Sequence, residues 1–111
     1  MIPKNQRISR ETFEQIMKKG AIVHGSLFSL RFLKNPLNTS AFSVVVAKKV
    51  AKTAVSRNKI RRRCYSILKK VQESLNNYYF IILFAKKGVE KASFADVKAD
   101  IEKLAAKVLV P

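Results

Sequence analysis

The chain has 111 residues, with 23 Lys and Arg against 7 Asp and Glu, a formal net charge of +16 at pH 7. That length suits one domain, residues 1–111, around one modest core. At 48% hydrophobic residues it is no disordered basic tail, and a single cysteine excludes both an intrachain disulfide and a cysteine-ligated zinc site.

The start, Met1-Ile2-Pro3-Lys4-Asn5-Gln6-Arg7, lacks the apolar run of a signal peptide. Ser9 is placed to cap a first helix and Gly20 to stop it, with Phe13, Ile16 and Met17 on one side. Ser26 to Leu33 alternates, Phe28, Leu30 and Phe32 against Ser29 and Arg31, as a half-buried strand does. Asn35-Pro36-Leu37-Asn38-Thr39 has turn composition, and Ala41 to Ala47 is a second strand ending in Lys48-Lys49. Val50 to Val55 is open between a loop and a further short strand.

Ser56 to Leu75 predicts a helix, with Ile60, Cys64, Ile67, Leu68, Val71 and Leu75 as one narrow apolar stripe. Asn76-Asn77 ends it. Tyr78 to Ala85 is an apolar, aromatic run suited to a central strand buried on both faces. Its apolar part, Phe80 to Ala85, is far too short to span a bilayer. Ser93 and Asp96 resemble a capping box at the head of a last helix that buries Val97, Ile101, Leu104, Ala105 and Val108. The order α-β-β-(β)-α-β-α predicts a small α+β sandwich, helices packed on one mixed sheet, in a soluble cytoplasmic protein with no membrane partner.

From Gln15 to Gln72 there is no Asp or Glu. A surface of one sign repels itself in a compact state, so a polyanion is the natural neighbour. Arg57, Lys59, Arg61, Arg62 and Arg63 fall in the first turns of the long helix, where the dipole disfavours cations unless phosphates lie alongside. A merely solvated helix face would mix in glutamates at i,i+4, and this one has none. Asn58 can hold a loop or touch a base or sugar. Tyr65, Phe28 and Phe13 are candidates to stack on unpaired bases, with Phe28 better suited to the core.

Chemistry by the protein itself finds little support. His24 is the only histidine and reads as a surface or turn residue. Asp96 and Asp100 stand one helical turn apart and could share a cation, but Lys98 and Lys103 beside them favour a solvated helix face. A two-metal nuclease needs several carboxylates along its phosphate channel, and the basic half of the chain has none. No catalytic residue, protein-held metal or small-molecule substrate is expected.

Arg57-Asn58-Lys59-Ile60-Arg61-Arg62-Arg63, preceded by Phe42-Ser43-Val44-Val45-Val46-Ala47-Lys48-Lys49-Val50, resembles the protein subunit of bacterial ribonuclease P, whose "RNR" helix follows an F-S-V-S-K-K-V-like strand. Glu11 to Gly20 is similar to that family's acidic-Phe-x-x-Val-Phe-x-x-Gly pattern, and Tyr79 to Ala85 with Ser93-Phe94-Ala95 to its last strand and helix start. Lys59 replaces the second arginine of the motif and loses its bidentate fork. Ala51 stands where the family usually has glycine, and Met17 and Arg31 where aromatics are common.

The resemblance implies an α-β sandwich of the kind shared with a domain of ribosomal protein S5, with a left-handed βαβ crossover that the usual rule would not give. It implies a catalytic RNA that cuts with Mg²⁺ and a protein that binds both this RNA and the single-stranded 5′ leader of precursor tRNA. Carried over by position, Lys48, Lys49, Lys52, Arg57, Asn58, Lys59, Arg61, Arg62 and Arg63 meet the catalytic RNA, and Phe13, Met17, Arg31, Val45 and Tyr65 the leader. Three rivals remain: a structural RNA-binding protein, a helix-turn-helix DNA binder and an autonomous nuclease. The β-branched, lysine-rich stretch before Arg57 disfavours the second, and the missing carboxylates disfavour the third.

Overall fold

The computed structural model describes residues 8–35, 41–74 and 78–109. Helix α1 spans Arg10–Lys19. Ser9 sits extended at its N-cap and its Oγ accepts from the Thr12 N–H at 3.2 Å. Gly20 closes the helix, donating its N–H to the Ile16 carbonyl at 2.8 Å. A Cβ there would lie 2.5 Å from the Ile16 oxygen and 2.9 Å from that of Phe32, so close approach of helix to strand requires the glycine.

Four strands follow: β1 Ala21–His24, β2 Phe28–Lys34, β3 Ala41–Val45 and, after helix α2 (Ala54–Ser74), β4 Tyr79–Ala85. They form one sheet in the order β1-β2-β4-β3, antiparallel except for the parallel β3–β4 pair that α2 connects. A 3₁₀ turn at Val89–Lys91 leads into α3, Phe94–Leu109.

The sheet has two unlike faces. Val23 pairs with Leu30, Leu30 with Leu83, and Val44 with Leu83, so these residues point the same way. That face carries the main core. Phe28, Leu30, Phe42, Val44, Ile81 and Leu83 cluster with Ile60, Cys64, Ile67, Leu68 and Val71 of α2 and Val97, Ile101, Leu104, Ala105 and Val108 of α3. Each Leu or Ile buried completely here contributes roughly 1.5–3 kcal/mol. The other face presents Arg31, Ile82, Phe84, Ser43 and Val45. Helix α1 covers part of it, and Ile16 and Ile82 have no exposed surface.

Most expected elements form with small shifts of boundary. The open question at Val50 to Val55 resolves as a turn that runs into the start of α2, with Val50 and Ala51 N–H donating to the Ala47 carbonyl. The extra strand lies instead at Ala21–His24, too short and too exposed to show an alternating pattern. Helix α2 starts two residues before Ser56 because Thr53 caps it: its Oγ1 accepts from the Ser56 N–H at 3.1 Å and its carbonyl from the Arg57 N–H. The expected turn at 36–39 and helix end at 75–77 lie outside the described residues.

Asp100 requires a correction. It is neither a solvated face residue nor half of a cation pair with Asp96. It is 8% exposed, and its carboxylate accepts from the N–H groups of Ser26, Leu27 and Phe28 at 3.0–3.1 Å. It thereby closes the β1–β2 turn from α3. A Cβ at Gly25 would lie 2.8 Å from both carboxylate oxygens, which is why the turn needs glycine there. Asp96 stays exposed, its N–H donating to the Ser93 Oγ as the capping pattern predicts.

Candidate nucleic-acid interface

The two parallel strands β3 and β4 end at the same edge of the sheet. Lys48, Lys49 and Lys52 therefore emerge, exposed, beside Lys87 and the first turns of α2. Arg57 is half-buried and works locally: its Nη1 donates to the carbonyls of Ala51 and Lys52, both at 3.0 Å. It thus fixes the basic turn against the helix and orients neighbouring lysines. Arg61 Nη1 donates to Asn58 Oδ1 at 2.8 Å, so Asn58 holds an arginine in place. Lys59 and Arg62 project fully outward, and Arg63 is half-exposed. The first turn of α2 contains no acid. The one ion pair found among the described residues, Arg10 with Glu14 at 3.9 Å, lies far away on α1. The cations of α2 are left to attract an external polyanion.

On the sheet face away from the main core, Phe13 of α1 meets Phe84 of β4 edge to face, ring centroids 6.5 Å apart at 66°. Phe84 stands in register with Val45, and Ser43 shares their face. Phe84, Val45 and Ser43 are half-buried and Met17 is 39% exposed, so aromatic and apolar side chains stay partly open on the sheet face that α1 covers in part. Arg31 is on this face too, but its Nη1 donates to the Met17 carbonyl at 3.1 Å, tying β2 to the end of α1.

Phe13, Met17, Arg31 and Val45 are therefore brought together. Tyr65 is not. It packs half-buried against the main core from α2, on the opposite face of the sheet. Phe80 and Phe84 had no site role in the sequence reading. The signal for them is present all the same: two phenylalanines at i,i+4 in β4 share the face that carries the smaller core. Lys86 and Lys107 also belong to this end of the sheet, and their ammonium groups donate to the Gly25 and His24 carbonyls.

His24 ends the edge strand, exposed, with Nδ1 and Ser29 Oγ sharing a hydrogen bond at 3.1 Å. Among the described residues no three His, Cys, Asp or Glu side chains converge as ligands of a metal ion. Asp100 is committed to three N–H donors and Glu90 accepts from Ser56 Oγ. Among the described residues the carboxylates are not gathered in a way that fits a resident Mg²⁺. No helix among the described residues is long and apolar enough to cross a membrane.

Residues 2–109 match the sequence profile of the family described as Ribonuclease P. The chain belongs to the ribonuclease P protein family. It is 31% identical to the ribonuclease P protein component of Syntrophomonas wolfei over 102 residues, 90% of this chain and 84% of the relative. The corresponding Streptococcus pneumoniae protein is 32% identical over 99 residues, 88% of this chain and 80% of that one. The solved ribonuclease P protein of Staphylococcus aureus superposes with a TM-score of 0.83 at 26% identity, covering 95% of this chain and 96% of the other. The mixed four-stranded sheet and three α-helices described above are thus the fold of the ribonuclease P proteins.

Proposed function

We propose that this chain is the protein subunit of ribonuclease P, assisting endonucleolytic removal of the 5′ leader from precursor tRNA while a partner RNA carries the chemistry with Mg²⁺. The observation that supports this best is the pairing of two surfaces at one end of the sheet. One is a cation-rich helix start whose own first turn holds no acid, the other a half-exposed Phe13–Phe84 aromatic pair.

In this reading Lys48, Lys49, Lys52, Lys59, Arg62 and Arg63 contact phosphates of the catalytic RNA, with Arg57, Asn58 and Arg61 both contacting it and holding the surface in shape. Each phosphate neutralised releases counterions, giving affinity with little sequence preference. Phe13, Met17, Val45 and Phe84 hold the single-stranded leader by stacking and apolar contact, and Arg31 takes a leader phosphate with its free guanidinium nitrogens. Tyr65 stands on the other sheet face and contacts RNA from α2. The carboxylates of the described residues are not gathered to fit a metal, so Mg²⁺ is held by the RNA.

The test is cleavage of precursor tRNA at low Mg²⁺ by a bacterial ribonuclease P RNA, with and without the protein, beside a protein-alone control. Cleavage raised only when both are present is expected. RNA binding without stimulation would overturn the assignment in favour of a structural RNA-binding protein. Cleavage by protein alone would overturn the assignment of chemistry to the RNA.

A further inference from the structure

Helices α2 and α3 leave a groove between them, on the face of the molecule opposite α1, enclosing about 380 Å³. Ser66 and Lys70 of α2 and Phe94, Lys98 and Glu102 of α3 line it. Phe94 opens α3 and is 46% exposed, an aromatic ring held at the surface rather than in the core. The small side chains Ala105 and Ala106 on the same wall leave room beside the ring.

The groove continues the RNA-facing surface of α2. Lys59, Arg63, Ser66 and Lys70 recur at three- and four-residue spacing, so one exposed or half-exposed stripe leads from the basic helix start into the groove. Lys70 and Lys98 stand exposed on opposite walls. Glu102 is the one carboxylate of the lining. It disfavours a phosphate at the centre, while its oxygens can accept from the amino or imino N–H of a base.

We propose that this groove is a second RNA-binding site, taking one unpaired nucleotide of the partner RNA with its base against Phe94 and its flanking phosphates on Lys70 and Lys98. The inference rests on the RNA-binding reading above but concerns a face separate from both the leader-binding surface and the basic turn. Aromatic stacking accepts any base, so the site adds affinity with little dependence on sequence. It also fixes the angle at which α2 lies on the RNA, because contacts at both ends of one helix restrict its rotation.

The test uses the full chain and a bacterial ribonuclease P RNA, with Kd measured across a range of salt for the wild type, Phe94→Ala, Phe94→Leu, Phe94→Tyr, Lys98→Gln and, as a reference, Arg62→Ala. Phe94→Ala and Phe94→Leu should each weaken binding about tenfold with an unchanged salt slope, and Phe94→Tyr should bind as the wild type does. Lys98→Gln should lower the slope by about 0.7, the value for one single-strand phosphate. Wild-type affinity in Phe94→Ala beside a loss in Arg62→Ala would overturn the groove and leave the RNA-binding reading standing. Full affinity in Phe94→Leu would make the contact merely apolar and overturn stacking. Failure of the wild type to bind this RNA would overturn both readings.

Discussion

Helices α2 and α3 lie side by side on one face of the sheet, yet they use charge in opposite directions. Lys59 and Arg62 of α2 point away from the protein and end in solvent, whereas Asp100 of α3 points inward and accepts three backbone N–H groups. An inward charge that is fully hydrogen-bonded serves the fold, because the turn it closes would otherwise bury unsatisfied donors. Outward charges of one sign serve something outside, because within the protein they only repel. Arg57 falls between the two cases, with its guanidinium on two carbonyls of the basic turn.

The largest effect should come from removing the inward charge. Asp100→Ala leaves three N–H donors without their acceptor and should destabilise the protein by about 3 kcal/mol, read from the denaturant midpoint at unchanged slope. A loss below about 1 kcal/mol would mean that water replaces the carboxylate and would break the distinction. Phe13→Ala, on the other sheet face, should weaken binding of leader-bearing precursor tRNA about tenfold while sparing mature tRNA. Equal losses for both RNAs would assign Phe13 to packing against Phe84 alone.

Arg57→Ala should show both kinds of effect, about 1 kcal/mol of stability and a shallower salt dependence of RNA binding. Arg62→Ala should show only the second. Its stability should stay within about 0.5 kcal/mol of the wild type, with the slope of log K against log salt falling by about one. An unchanged slope would remove Arg62 from the RNA interface.

The smallest effect concerns Cys64, which lies in the α2 stripe facing the core. Burial disfavours the thiolate and pushes the thiol from 9.0 up to about 12. The folded state therefore holds its proton where the unfolded chain releases it. Stability from this group is complete below pH 9 and declines between pH 9 and about 12. Alkylation of the native protein at neutral pH should be much slower than in denaturant. Comparable rates would place the thiol at the surface.

How much of this was legible in the sequence depended on distance along the chain. The buried stripe Ile60, Cys64, Ile67, Leu68 and Val71 repeats at helical spacing, and every member reaches the core. The cations from Lys48 to Arg63 are near neighbours in sequence, so their gathering on one surface needs only a strand end, a turn and a helix start. The order of elements followed from such local patterns, and the resemblance over nearly the whole chain added the ribonuclease P family. Strand β1 escaped notice because four residues with three exposed carry no periodicity.

The roles of single side chains depended on contacts far apart in the chain. Asp100 looked like any exposed helix acid, since nothing near it in sequence announces Ser26, Leu27 and Phe28 as its donors. The Phe13–Phe84 contact joins the first helix to the last strand, and the packing of α2 on the main core sets Tyr65 on the other sheet face. Charge and local periodicity act within a few residues, and they set the elements and the sign of the surface. Which face a residue shares, and whether a charge turns inward or outward, is set by pairing and packing between distant segments, and only the tertiary structure decides that.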